Sequence, residues 1–178
     1  MTESQIPEIT EEYFFNVFNR LPVVLERAEG TRVWDENGKE YIDFLAGIAV
    51  TSLGHNHPSV VHAIKEQSEK IMHASNLFYY KPQAELIKKM SEVFGMDKIF
   101  LCNSGAEAVE GSVKLARRYA AKNGKDGPII TMENGFHGRT IATISMGMKK
   151  YQEGFDPMLA GFREIPLNDI TALEEAFD

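Results

Sequence analysis

The apolar positions change period along the chain, and each change marks an element. Residues 10–18 suit a short helix with Thr10 as its cap. Two short apolar-polar runs, 32–34 and 40–42, flank DENGK, whose Asn37-Gly38 pair favours a tight turn at positive φ, so a hairpin is predicted. FLAGIAVTSLGHNHP, rich in Gly and small residues, reads as loop. Pro58 then suits a first helical position, and Val61, Ile64 and Ile71 recur at helical spacing. A second helix is predicted over 83–94, with Leu86, Ile87, Met90 and Phe94 on one side and Gly95 as its stop.

An apolar run over 98–103 predicts a strand, followed by a long helix with Val109, Val113, Ala116 and Ala120 on one face, ended by Asn123-Gly124. Strands are then expected over 128–132, 140–146 and 163–166, with ENGFHG a loop between the first two. Asn168 or Asp169 caps a closing helix whose Leu173 and Phe177 face inward. This alternation after residue 98 predicts an α/β class with a largely parallel sheet.

Composition narrows the picture. At 178 residues and 43% hydrophobic, the chain has enough apolar material for about one domain or one and a half. A net charge of −7 and pI near 5.3 leave no basic footprint for nucleic acid. The acidic amino terminus has no apolar core of a signal peptide, and no apolar run reaches a membrane span, so a soluble, cytoplasmic protein is expected. The single cysteine, Cys102, lies in an apolar run and reads as a buried small hydrophobe.

Three stretches carry candidate chemistry. In NSGAEAVEGSVKLARRY, Ser104, Gly105 and Ala106 stand where a strand passes into a helix, a place suited to a phosphate or carboxylate. The same residues fit an ordinary capping box of Ser104 with Glu107, and spacing alone slightly favours that. In NGFHGRT, Phe136 and His137 lie in a Gly-flanked loop; the Phe suits stacking on a planar ligand or anchoring the loop. Arg139 suits a carboxylate grip or a solvated charge. His55 and His57 in LGHNHP lack a third ligand nearby, and a structural turn is the better reading. NLFYY, from Asn76 to Tyr80, fits interface, pocket wall or core equally.

Taken together, LCNSGAEAVEGSVKLARRY, NGFHGRTIATIS and FLAGIAVTSLGHNHPSVVHAIKEQ resemble the class III, fold type I aminotransferases, which use pyridoxal 5′-phosphate (PLP). RLPVVLERAEGTRVWDENGKEYIDFLAGIAV and HASNLFYYKPQAEL look most like the branch acting on N-acetylornithine in arginine biosynthesis; ornithine, succinylornithine and 4-aminobutyrate are the alternative donors. The resemblance runs from about Arg20 onward. It implies that residues 1–57 are the amino-terminal segment of the small domain, a helix plus a hairpin, and 58–178 the first, incomplete part of the PLP-binding domain.

It further implies that Gly105 and Ala106 donate to the cofactor phosphate with Ser104 nearby, that Phe136 stacks on the pyridine ring with His137 close to it, and that Arg139 pairs with the substrate carboxylate. Val109, Gly111 and Ser112 depart from the family's commoner residues; Gly111 costs about 1 kcal/mol in a helix relative to Ala. The family's Schiff-base lysine and pyridinium carboxylate fall beyond residue 178, and none of the twelve lysines sits in the lysine motif. The expected assignment is therefore the amino-terminal part of a homodimeric aminotransferase using 2-oxoglutarate, inactive alone or dependent on a complementary chain. No metal site and no catalytic residue are expected within these residues.

Overall fold

A computed structural model describes residues 5–177; the first four residues of the acidic amino-terminal stretch, and Asp178, lie outside the described residues. The chain falls into two compact units, Met1–Tyr79 and Tyr80–Asp178.

The first unit begins with α1 (Ile6–Tyr13), earlier than the sequence suggested. Pro7 opens it, since a first-turn proline forfeits no intrahelical bond. Thr10 is therefore not the cap: it lies within the helix and its hydroxyl donates to the Ile6 carbonyl at 2.7 Å. Strands β1 (Leu25–Glu29), β2 (Arg32–Asp35) and β3 (Glu40–Ile42) form an antiparallel sheet in that order. The β2–β3 hairpin is the predicted one, with Gly38 at φ 76°. β1 was not foreseen, because LERAE shows no alternation; pairing with β2 across the Gly30-Thr31 turn makes it a strand.

Asp35 holds the hairpin. One carboxylate oxygen accepts from the Asn37 and Lys39 N–H groups, both at 2.9 Å, and the other from the Tyr41 hydroxyl at 2.8 Å. The Tyr41 bond leads in holding this carboxyl below its ordinary range, against desolvation. A depressed carboxylate contributes stability above its unfolded value, and that contribution is lost as pH falls through the folded one. Hairpin protection should therefore decline below about pH 4. In the Asp35→Asn variant that acid-side decline should flatten, which amide exchange across residues 32–42 would reveal.

The Gly-rich segment that follows is loop apart from a single turn, α2 (Ala46–Ala49), whose residues all lie at φ between 47° and 62°. A left-handed turn with three non-glycine residues is costly and needs fastening. Asp43 supplies it, accepting from the Leu45 and Ala46 N–H groups at 2.9 Å and bonding His55 Nε2 at 2.7 Å. His55 is also bridged to Gly30 through both backbone bonds, and Asn56 donates to the Ala28 carbonyl. These bonds tie the 54–57 segment to the sheet. Helix α3 (Pro58–Ser68) opens on Pro58 as expected and lies within this unit.

The second unit starts with α4 (Lys81–Phe94), stopped by Gly95 in the left-handed conformation at φ 64°. Residues 98–103, expected as a strand, form no ladder among the described residues, because no described strand runs beside them. Cys102 is correspondingly exposed rather than buried. Helix α5 (Gly105–Lys122) follows, with Val113 its buried residue. Gly111 has a local reason: a Cβ there would lie 3.1 Å from the Phe100 ring.

Strands β4 (Ile129–Met132) and β5 (Phe162–Ile165) pair in parallel, Ile129 opposite Phe162 and Met132 opposite Ile165. The 140–146 segment, expected as a strand, instead forms helix α6 (Ile141–Ile144). Thr140 and Thr143 cap each other reciprocally at its start, and that local bonding overrides the β-propensity of the residues. A 3₁₀ turn (Lys149–Tyr151) leads on towards β5. Asp169, not Asn168, caps α7 (Ile170–Glu175), accepting from the Ala172 N–H at 2.9 Å. Ala176 is buried there while Phe177 is 78% exposed, so the inward position expected for Phe177 belongs to Ala176. The packed centre of this unit is Val113, Thr131, Ala142, Thr143, Ile144, Met146 and Ile165.

Candidate functional site

Two segments of the second unit meet: the first turn of α5, and the loop that leaves the carboxyl end of β4. Ligands in parallel α/β folds gather at such strand ends.

At α5 Ser104 is the N-cap, but the reciprocal half of the capping box is displaced by one residue, to Asn103. Ser104 Oγ accepts from the Glu107 N–H at 3.2 Å, and the Glu107 carboxylate accepts from the Asn103 N–H at 2.7 Å. That Asn103 N–H is the leading reason the Glu107 carboxyl lies below its ordinary range, with the Asn103 side chain next. Ser104 is thus engaged in its own cap. The N–H groups of Gly105 and Ala106 have no protein acceptor among the described residues, as expected for the first positions of a helix. Nothing lies within 4 Å of where a Cβ on Gly105 would stand, so the approach to that turn is open.

The loop reaches this turn through Gly138. At φ 124°, Gly138 adopts a backbone that side chains disfavour, and a Cβ there would lie 2.7 Å from Ala106 Cβ and 3.0 Å from Thr143 Oγ1. Close backbone approach at Gly138 therefore brings the loop that carries Phe136, His137 and Arg139 up to Ala106. The Phe136 ring is 58% exposed and stands edge-on to Tyr151 at 5.9 Å between centroids. The Arg139 guanidinium lies over the same Tyr151 ring at 4.5 Å. Tyr151 thus braces both the aromatic and the cation, and no sequence signal marked it.

His137 is turned into its own loop. Its Nε2 is buried without a partner among the described residues, and a Cβ on Gly135 would stand 2.7 Å from that atom. A Cβ on Gly147 would lie 3.6 Å from its Cδ2 and 2.6 Å from the Gly135 carbonyl oxygen. Both glycines leave room for the imidazole and its loop. His55 and His57 lie in the other unit, where His55 is bonded to Asp43.

The chemistry available is an anion turn made of backbone N–H groups, a half-exposed aromatic ring, and a guanidinium whose planar fork matches a carboxylate. Such a set suits a phosphorylated planar cofactor together with a carboxylate substrate.

The class-III aminotransferase family model matches residues 15–177. Acetylornithine aminotransferase of Caldanaerobacter subterraneus subsp. tengcongensis is 52% identical over 94% of this chain and 44% of its own length. That of Methanocaldococcus jannaschii is 49% identical over 99% of this chain and 45% of its own length. The chain thus spans less than half the length of these relatives. Among solved structures, ornithine aminotransferase of Toxoplasma gondii superposes with a TM-score of 0.92 at 35% identity, covering 99% of this chain and 43% of that one. A second structure of that enzyme describes partial occupancy of PLP at its active site. Acetylornithine aminotransferase of Elizabethkingia anophelis superposes at 0.79 with 36% identity, covering 97% and 40%. Motif, fold and family model agree on one assignment: the chain belongs to the class-III aminotransferases, with the fold of their amino-terminal portion.

Proposed function

We propose that the chain supplies the amino-terminal portion of a homodimeric, PLP-dependent aminotransferase that moves an amino group from N-acetylornithine to 2-oxoglutarate in arginine biosynthesis. The observation that supports this is the packing of Gly138 on Ala106, which brings the loop carrying an aromatic and a guanidinium up to an uncommitted helix N-terminus.

In this reading Gly105 and Ala106 hold the cofactor phosphate through their N–H groups, assisted by the positive end of α5. Ser104 shapes the turn, its hydroxyl oxygen already occupied by the Glu107 N–H. Phe136 offers one ring face to the pyridine, steadied from its edge by Tyr151. Arg139 receives the carboxylate of the amino-acid or oxo-acid substrate and orients it. His137 packs the loop that carries these residues, so its contribution is to the position of Phe136. The cofactor, when bound, supplies the electron sink for amino-group transfer.

The lysine that carries the cofactor and the carboxylate at its ring nitrogen would come from the part of the relatives that this chain does not span, whether in one polypeptide or in a complementary chain. Exposed apolar side chains in the second unit, Phe100 at 72% and Leu115 at 72%, support a covering portion of that kind. The 178-residue chain alone is expected to be inactive.

A second donor, ornithine, is favoured by the superposition with the T. gondii enzyme. Steady-state rates of the completed enzyme separate the two. N-Acetylornithine should exceed ornithine and 4-aminobutyrate in kcat/KM by roughly tenfold or more, the discrimination expected when pocket groups pair with one substrate only. A preference for either competitor overturns the donor assignment.

A further inference from the structure

Arg139 is exposed, and a carboxylate-binding guanidinium needs a fixed base. Its neighbour in sequence, Thr140, supplies one. The Thr140 hydroxyl donates its single proton to the Glu110 carboxylate on α5. That leaves the hydroxyl oxygen free to accept from the Thr143 N–H at 3.3 Å, while the Thr140 N–H donates to Thr143 Oγ1 at 2.9 Å. Thr143 is 1% exposed, so this end of the network is anchored in the core. On the other side of Arg139, Gly138 is seated on Ala106. Arg139 is therefore held between two attachments to the same helix, one at its first turn and one at Glu110.

We propose that Glu110 is a positioning residue for Arg139, acting through Thr140 to set the guanidinium at a fixed place relative to the Gly105–Ala106 turn. The inference rests on the aminotransferase reading and adds to it a residue that touches neither cofactor nor substrate. Among the described residues, Glu110 is the α5 side chain that bonds this loop through a charge-assisted hydrogen bond, a class stronger than neutral ones. Loss of the bond should loosen the carboxylate grip while leaving the phosphate turn, whose contacts are backbone N–H groups, intact.

The test compares Glu110→Ala with Glu110→Gln, which keeps an acceptor oxygen, and Thr140→Val with Thr140→Ser, which keeps the hydroxyl. In the 178-residue chain, amide exchange over 139–144 should rise about tenfold in Glu110→Ala and Thr140→Val and stay within about twofold in the conservative pair. In the enzyme completed by the remaining portion, Glu110→Ala should raise KM for 2-oxoglutarate about tenfold, with kcat and PLP affinity within about twofold, and Glu110→Gln should restore KM. Unchanged exchange, an unchanged KM, or a joint fall in kcat and PLP affinity would each overturn the proposal. If the completed wild-type enzyme shows no transamination, the functional reading fails, while the exchange data still decide whether Glu110 fixes the loop.

Discussion

Replacing Gly138 by alanine is expected to detach the Phe136–Arg139 loop from α5 and to destabilise the chain by roughly 3–5 kcal/mol, combining backbone strain with overpacking. At φ 124° the position is already outside the comfortable range of a side chain. The added methyl would meet Ala106 Cβ at 2.7 Å and Ala106 Cα at 3.1 Å, so relief requires moving the first turn of a helix. Its third neighbour, Thr143 Oγ1 at 3.0 Å, is locked in the α6 capping box. None of these is the far end of a flexible side chain. Gly124, also at positive φ but with nothing within 4 Å, is the matching control and should cost about 1 kcal/mol as alanine. Denaturant midpoints of the two variants measure the difference. A Gly138→Ala loss no larger than the control would mean that the loop does not depend on this contact.

Arg139→Ala should produce the largest functional loss in the completed enzyme. Removing one partner of a charge pair that is desolvated in the substrate complex typically costs about 2–5 kcal/mol, which corresponds to a fall in kcat/KM of about 30-fold to 5,000-fold. The effect should appear with every carboxylate substrate. Arg139→Lys should recover only part of it, because an ammonium lacks the planar two-donor fork. Stability should barely change, since the exposed guanidinium over Tyr151 contributes about 0.5–1 kcal/mol. Steady-state kinetics alongside a thermal melt check both halves. A kcat/KM loss below about fivefold would remove Arg139 from the substrate site.

The contrast between these two residues shows what a sequence makes legible. Arg139, Phe136 and the Ser-Gly-Ala turn are candidates by residue type, each beside an ordinary structural reading, and it is the family resemblance that raises them. The hairpin, the Gly95 stop and the Asp169 cap were legible because turn and cap chemistry is local. Tyr151 and Glu110 were not. Each acts on Arg139 or its neighbour from 12 to 30 positions away, and only the fold brings them there.

The misread elements also have specific causes. Residues 140–146 carry β-branched side chains and look like a strand, yet Thr140 and Thr143 satisfy each other's backbone and start a helix. Residues 98–103 have the composition of a buried strand, but a strand exists only beside another, and none of the described strands lies there. LERAE carries the opposite lesson, becoming a strand despite its charges because β2 lies alongside. By sequence Ser104 fits either cap or ligand. The structure shows the cap, and the remaining N–H groups of the same turn stay available to an anion.

The deciding measurement is transamination between N-acetylornithine and 2-oxoglutarate in the presence of PLP, for this chain alone and for this chain joined to the carboxy-terminal portion of a relative. Activity only in the joined form, abolished again by Arg139→Ala, is the expected outcome. Activity in the chain alone, or none in a joined form that folds and binds PLP, would contradict the proposed function.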